Sequence, residues 1–243
     1  MDISNIKVIR ALWGNFEHYQ NEIPKQPIYN EVVYVWGIEN ADKLKELGYE
    51  VVFMGDGVHK SKHSFYLKLE CLIRAENEFK EILFIDWDVK QCKELDDIFY
   101  KELRELKFSM PTYSYPIEFL NLKFEHDWGN NIVNDFKKYG WRLDNFIVIP
   151  NAGFIYSNDS NIPHQLYKIS KENNINTLTE EFSMWKFANC SLKDYILRYE
   201  PKCIYGRPID NNFKLETIEK KSEIDLHNFI NGLIDKNIYF VHE

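Results

Sequence analysis

The first ninety or so residues alternate between strand-like and helix-like segments, and this alternation sets the strongest limit on the fold. Short runs rich in β-branched and aromatic residues predict strands at residues 7–12, 31–36, 49–54 and 81–85. Apolar residues at helical spacing predict helices at residues 41–47 and 64–79. Strands separated by helices favour an α/β fold, with a mixed, mostly parallel sheet flanked by helices.

The pattern beyond residue 91 is less regular. It predicts helices at residues 96–106, 162–173 and 178–188, and strands at 146–149, 154–156 and 195–199. Residues 111–128 are aromatic and interrupted by proline, which predicts a loop-rich segment. The apolar tail at 237–243 should pack down. Because the sequence contains no repeat, linker or composition change, we expect one domain over residues 1–243.

The predicted sheet places the residues that follow three of its strands close together. In sheets of this kind a ligand binds beyond the carboxyl ends of the strands. Those ends are followed by Trp13 and Gly14, by Asp56, and by Asp86 and Asp88. We therefore expect these residues to meet in one crevice.

The charge of the chain limits its partners. Its net charge is −8, and it contains no block of five or more like charges. A protein that binds a phosphate backbone usually presents a basic face, so nucleic acid is not an expected partner. If the substrate is also negative, the site needs a local source of positive charge, either a metal ion or one or two lysines.

The cysteines and the termini indicate the compartment. The four cysteines form no CxxC pair, which argues against a zinc ribbon or a thioredoxin-like site and favours reduced thiols. The N-terminus lacks the apolar run of a signal peptide. No apolar stretch approaches the roughly 18–20 residues of a membrane span. The expected location is the cytoplasm, with peripheral association at a membrane surface left open.

The strongest local signal is a buried-type strand that runs directly into two carboxylates, in the sequence ILFIDWDV at 82–89. Asp86 and Asp88 are hard oxygen donors suited to Mg²⁺ or Mn²⁺. Carboxylates at the end of a strand also serve simply to form turns. The apolar run before them favours the functional interpretation.

Two enzyme classes have such a signature. In phosphatases of the HAD type, an apolar strand ends in DxD followed by Thr or Val, and Asp86 would then be the nucleophile. That motif normally follows the first strand of its domain, whereas three predicted strands precede Asp86 here. In nucleotide-sugar transferases of the GT-A type, the DxD follows several βα units. The order of elements favours the transferase.

Several further segments resemble GT-A glycosyltransferases similar to family 8. The run SFYLKLECLIRA at 64–75, together with the DxD strand, resembles that group's YxKLxxLxxA…hLFxDxDV pattern. NAGF at 151–154 resembles its Asn-Ser/Ala-Gly segment, and Thr179-Glu180-Glu181 stands where its acidic acceptor-side motif occurs. KVIRALWG at 7–14 suits its first, nucleotide-binding strand. The resemblance implies a nucleotide-binding half at 1–90 and an acceptor-side half at 91–243.

The resemblance also implies roles for single residues on the donor side. Asp86 and Asp88 would hold a divalent cation, Mn²⁺ or Mg²⁺, that bridges the diphosphate of the donor. Lys68 matches the family's basic residue near the donor, although a solvated helix lysine explains it equally well. Asn151 and Gly153 would approach the donor sugar, unless they form only a turn between strands.

Three late residues complete the implied site. His242 matches a late histidine that often closes the metal site, although the glycine and lysine that commonly follow that histidine are missing here. Glu180 and Glu181 begin a predicted helix, where acidic residues are favoured by the helix dipole alone. The catalytic interpretation places one of them, Glu181 before Glu180, beside the anomeric carbon or the acceptor hydroxyl.

The sequence thus predicts a metal-dependent glycosyltransferase with a nucleotide-sugar donor, by analogy a UDP-sugar, and a glycan or glycoconjugate acceptor in polysaccharide biosynthesis. The aromatic segment at 111–141 is the candidate for acceptor binding or a lid. Two alternatives stay open: the HAD-like phosphatase with Asp86 as nucleophile, and a non-catalytic nucleotide- or sugar-binding protein on the same scaffold.

Overall fold

The computed structural model describes residues 6–56, 66–91, 94–104, 108–109, 112–121, 123, 127–139, 141–143, 146–150, 152–159, 161–172 and 240–242. The strands in this part of the chain are β1 (Lys7–Leu12), β2 (Glu31–Trp36), β3 (Glu50–Gly55), β4 (Ile82–Ile85), β5 (Val89–Gln91), β6 (Phe108–Ser109), β7 (Thr112–Pro116), β8 (Trp141–Leu143), β9 (Phe146–Pro150), β10 (Phe154–Ser157) and β11 (Phe240–His242). The helices are α1 (Phe16–Tyr19), α2 (Ile38–Glu46), α3 (Tyr66–Glu78), α4 (Asp97–Arg104), a 3₁₀ helix (Ile117–Asn121), α5 (Asp127–Tyr139) and α6 (Asn161–Glu172).

The central sheet has six strands in the order β3-β2-β1-β4-β10-β6. Strands β1 to β4 are parallel, and β10 pairs antiparallel with both β4 and β6. The predicted α/β fold with a mixed, mostly parallel sheet flanked by helices is therefore confirmed. All six residues of β2 and all four of β4 are buried, as expected for strands covered on both faces.

Helices cover both faces of this sheet. On one face, α3 packs Leu69 and Leu72 against Ile9 and Phe84, and Leu166 of α6 joins the same cluster. The opposite face is covered by α2 and α4, whose buried residues include Leu44 and Leu103. The predicted helix end at residue 47 lies one residue beyond the observed end of α2, and Gly48 follows with φ +87°, a conformation that glycine adopts at low cost.

The strand order creates a topological switch point between β1 and β4. From β1 the chain moves outward through β2 and β3, and it then returns to place β4 on the other side of β1. The carboxyl ends of β1 and β4 thus adjoin while their connections leave in opposite directions. Such a point is where doubly wound α/β proteins open a crevice for ligands.

Two smaller sheets lie beyond the central one. Strands β7, β9 and β8 form a three-stranded antiparallel sheet, and β11 pairs antiparallel with β5. The predicted loop at residues 111–128 is wrong, because this segment contains β7, the 3₁₀ helix and the start of α5. Val133 and Phe136 of α5 are buried, so packing stabilises a helix that begins with poor helix formers.

Two predictions of secondary structure, the helix at 178–188 and the strand at 195–199, lie outside the described residues. Within the described part of the chain, no helix is long and apolar enough to cross a membrane.

Candidate active site

The two carboxylates of the DxD motif stand on a tight turn at the end of β4. The Val89 amide donates to the Asp86 carbonyl oxygen at 3.2 Å, which closes the turn around Trp87 and Asp88. The Asp86 amide donates to the Gly153 carbonyl oxygen at 2.8 Å and so ties the turn to the segment before β10. The motif is therefore held by its backbone on two sides.

Lys68 forms an ion pair with the first carboxylate of this turn. Its Nζ lies 2.8 Å from Asp86 Oδ2 and 3.1 Å from the Ala152 carbonyl oxygen. Only 5% of the Lys68 side chain is exposed, so the ammonium group is held in place rather than solvated. The interpretation of Lys68 as a solvated helix lysine is thus wrong, because this side of α3 faces the sheet.

Trp87, between the two carboxylates, turns into the core. Its indole Nε1 donates to the Ala11 carbonyl oxygen at 2.8 Å, and its ring packs edge-on against Tyr49, with centroids 5.9 Å apart. Leu12 and Ile23 belong to the same cluster. Burial of Trp87 anchors the turn on its core side, while Asp86 and Asp88 line the cleft.

A cleft opens at the switch point, between the end of β1 and the DxD turn. Its lining residues are Ala11, Leu12, Trp13, Tyr19, Glu22, Lys68, Asp86, Trp87 and Asp88. Of the three strand ends that we expected to meet in one crevice, those of β1 and β4 do so, and that of β3 does not. Three of these lining residues are carboxylates, and Lys68 is the one cation among the described residues that line the cleft.

The negative potential of the cleft also acts on Tyr19. Burial raises the pKa of its phenol, and the charges of Asp86, Glu22 and Asp88 raise it further. Three carboxylates therefore act on one hydroxyl group at the mouth of the site. A bound cation is favoured in such a field, whereas an anionic ligand needs one as a partner.

The other predicted donor-side residues are placed differently. Gly153 is buried and contacts Asp86 through its carbonyl group, as described above. Gly14 lies beside the cleft: its carbonyl oxygen accepts from Asn40 at 2.8 Å, and a Cβ added here would stand 2.9 Å from a ring carbon of Tyr19. Asp56 follows β3, two strands away from β1; it is exposed and does not line the cleft.

Four predicted residues cannot be placed as fully. Asn151, Glu180 and Glu181 lie outside the described residues. His242 is described as part of β11, and its backbone is registered opposite Val89, the residue that follows Asp88. The C-terminal strand thus runs beside the DxD turn.

The donor set suits a cation that shares its coordination with a ligand. In the part of the chain that the structure describes, no three His, Cys, Asp or Glu side chains form a complete metal-binding group. Mg²⁺ and similar ions are commonly held by one or two carboxylates together with substrate phosphates and water. Asp86 and Asp88 fit that pattern.

Sequence reasoning missed three residues of the site: Arg10, Tyr19 and Glu22. Tyr19 and Glu22 stand in a segment without strand or helix periodicity, which carries no signal for a site. Arg10 did carry one, because it is a charged residue within the apolar run KVIRAL. A charge buried in a central strand must be paired, and that requirement marks such a position as unusual.

Comparison with known proteins gives distant structural likenesses only. No family model matches the sequence, and no curated protein matches it. The galactosyltransferase LgtC, in complex with donor and acceptor sugar analogues, is similar over 98% of this chain and 86% of its own, with 13% identity and a TM-score of 0.49. Mouse xyloside xylosyltransferase 1 is similar over 98% and 97%, with 9% identity and a TM-score of 0.44. CMP:2-keto-3-deoxy-manno-octonic acid synthetase, complexed with CTP, is similar over 95% and 98%, with 6% identity and a TM-score of 0.42. These likenesses assign no family.

Proposed function

We propose that this protein is a metal-dependent glycosyltransferase of the GT-A type. It would transfer a sugar from a nucleotide-sugar donor, a UDP-sugar by analogy, to a glycan or glycoconjugate acceptor. Residues 1–90 would bind the nucleotide, and residues 91–243 would supply the acceptor side.

One observation carries the proposal. Asp86 and Asp88 stand on a turn at the topological switch point, in a cleft whose described lining contains one buried cation, Lys68. An α/β sheet binds nucleotides at such a point. Two carboxylates and one lysine match a ligand that brings a diphosphate together with its metal ion.

The residues of the cleft would have different roles in binding the donor. Mn²⁺ or Mg²⁺ held by Asp86 and Asp88 would neutralise the charge on the leaving diphosphate. Lys68 adds a fixed positive charge beside Asp86. Trp13 offers an aromatic wall at the end of β1, where a base or ribose can pack.

The remaining roles are proposed on the acceptor side and at the metal. His242 would be the third protein ligand of the cation. Glu181, or Glu180 beside it, would orient the acceptor hydroxyl or act on its proton. The three-stranded sheet and α5, which replace the predicted aromatic loop, would form the wall of the acceptor site.

The phosphatase alternative is less well supported. Asp86 follows the fourth strand along the chain, whereas the nucleophile of that class follows the first. Trapping a BeF₃⁻ adduct on Asp86 would nevertheless establish it and remove the transferase.

The experiment is a thermal-shift screen of nucleoside diphosphates and nucleotide sugars, with and without Mn²⁺. It compares wild type, Asp88→Ala, and Asp56→Ala as a matched carboxylate outside the cleft. At a ligand concentration about one hundred times Kd, binding adds about 2.7 kcal/mol, which corresponds to a Tm rise of roughly 5–10 °C. We expect this rise with one diphosphate, only with Mn²⁺, in wild type and Asp56→Ala but not in Asp88→Ala.

Activity separates the enzyme from a binding protein. The ligand found in the screen identifies the nucleotide sugars to be assayed for slow hydrolysis and for transfer. Binding without either activity would support a non-catalytic protein on the same scaffold. No shift with any nucleotide would contradict the proposed donor site.

A further inference from the structure

Arg10 is a buried charge on the core side of the turn at Asp86–Asp88. It is 2% exposed in the middle of β1, and its Nε donates to Glu31 Oε2 at 2.7 Å. The Glu31 side chain is fully buried, and its other oxygen, Oε1, accepts the Ile28 amide at 2.9 Å. The ion pair is therefore fixed at both partners.

The free end of the guanidinium group reaches the turn. Its Nη1 donates to the Asp86 carbonyl oxygen at 2.8 Å and lies 3.3 Å from the Ile85 carbonyl oxygen. The guanidinium carbon also lies 4.8 Å from the ring centroid of Trp87. One side chain thus contacts three consecutive residues, including the first carboxylate residue and the Trp87 that follows it.

The position of Arg10 explains why the turn needs such a partner. The ladder between β1 and β4 ends at the pair Ile9–Phe84. Past this pair, Ile85 has no register partner in β1, so its carbonyl group needs a donor on that side, and the Asp86 carbonyl oxygen, which accepts the Val89 amide at 3.2 Å, can accept a second one. Arg10, the next residue after Ile9, supplies it from the side chain.

We propose that Arg10, held by Glu31, is a positioning residue that fixes the backbone of the Asp86–Asp88 turn and thereby the direction of the metal-binding carboxylates. It acts through the Asp86 main chain and does not touch the ligand. The inference rests on the proposed function for the metal, but the hold on the turn can be measured without any metal. Groups that orient metal ligands in this way typically change metal affinity by about 10–100-fold when they are removed.

The test uses a variant that removes the pair as a unit. Arg10→Met/Glu31→Gln removes both charges, which avoids a buried unpaired carboxylate, and the glutamine keeps an oxygen for the Ile28 amide. The matched control is Arg104→Met/Glu81→Gln. That pair is also an arginine–glutamate ion pair, with Nε–Oε1 at 2.7 Å and Nη2–Oε2 at 3.0 Å, but it lies at the opposite end of β4.

The first readout is amide hydrogen exchange of metal-free protein at two positions. The Asp86 amide and the Val89 amide are both hydrogen-bonded in the turn. We expect exchange at least about tenfold faster at both in the Arg10 variant and wild-type exchange in the control. Unchanged exchange at both positions in the Arg10 variant overturns the proposal.

The second readout is the affinity for Mn²⁺ together with UDP, measured by calorimetry. We expect Kd to rise at least about tenfold in the Arg10 variant and to stay within about twofold in the control. Equal Kd values in wild type and the Arg10 variant overturn the inferred effect on the carboxylates. If wild type itself does not bind Mn²⁺ with UDP, the UDP assignment fails, and amide exchange alone decides whether Arg10 holds the turn.

Discussion

Glu76 should make the stability of this protein depend on pH. It lies on α3, where Ser157 donates to its Oε1, while Oε2 is enclosed and has no hydrogen-bond partner among the described residues. Burial is the largest cause of a pKa raised from 4.5 to about 8 at this carboxyl group; the Ser157 hydrogen bond lowers that pKa by less, and the charge of Asp159 adds a smaller rise. Folded Glu76 is therefore neutral at pH 7.

The sign and size of the effect follow from proton linkage. Between pH 4.5 and about 8 the folded state keeps a proton that the unfolded chain has released. The stabilisation is fully present below pH 4.5, falls as pH rises, and is lost above about pH 8. At about 1.4 kcal/mol per pH unit, the full change in unfolding free energy is about 5 kcal/mol.

Urea unfolding of wild type and Glu76→Gln across this pH range measures the effect. Glutamine stays neutral, so the difference in unfolding free energy between the two proteins should change by about 5 kcal/mol from about pH 4.5 to pH 8. Glu46→Gln, an exposed carboxyl on α2, is the control and should keep the wild-type slope. Parallel curves for wild type and Glu76→Gln would refute the reasoning.

Three further changes have defined outcomes. Gly14→Ala should displace the Tyr19 ring into the cleft, because the added Cβ would stand 2.9 Å from a ring carbon. Calorimetry should then show about tenfold or more weaker binding of the nucleotide found in the screen, and unchanged affinity would place the ligand elsewhere. Lys68→Met should weaken binding of the free diphosphate about tenfold or more, since Asp86 then lacks its counter-ion; tighter binding would contradict that role. Leu72 is fully buried against the sheet, so Leu72→Ala should lower the free energy of unfolding in urea by about 2–5 kcal/mol and leave nucleotide affinity unchanged. A loss of affinity would show that packing around Leu72 also shapes the cleft.

The sheet could be predicted because each strand has a local signal, a short run rich in β-branched and aromatic residues. The predictions for β1 and β2 match the observed bounds, and β4 is shorter by one residue. The start of α2 was missed because Ile38 is exposed and the polar Asn40 is buried, which reverses the expected pattern. Asn40 is accommodated because its amide group bonds the Gly14 and Trp36 carbonyl oxygens. Such a bond depends on tertiary contacts and leaves no local signal.

The candidate site divides in the same way. The place of Asp86 and Asp88 in the cleft could be predicted because two carboxylates one residue apart after an apolar strand are typical of divalent-cation ligands. The contacts of Arg10 could not, because they depend on the adjacency of β1 and β4, which are separated by two other strands in sequence. Tyr19 and Glu22 reach the cleft only because residues 13–30 fold back beside the end of β1.

The burial of Trp87 has a consequence for ligand recognition. Its anchorage in the core, together with the Gly153 and Arg10 bonds, holds the carboxylate turn at three points. We therefore expect little conformational entropy to be lost there when the proposed metal ion binds, so that the free energy of its contacts would contribute to affinity rather than to ordering the turn. This half of the site should behave as a preformed receptor, with exchange of ions governed by hydration and charge instead of by local folding.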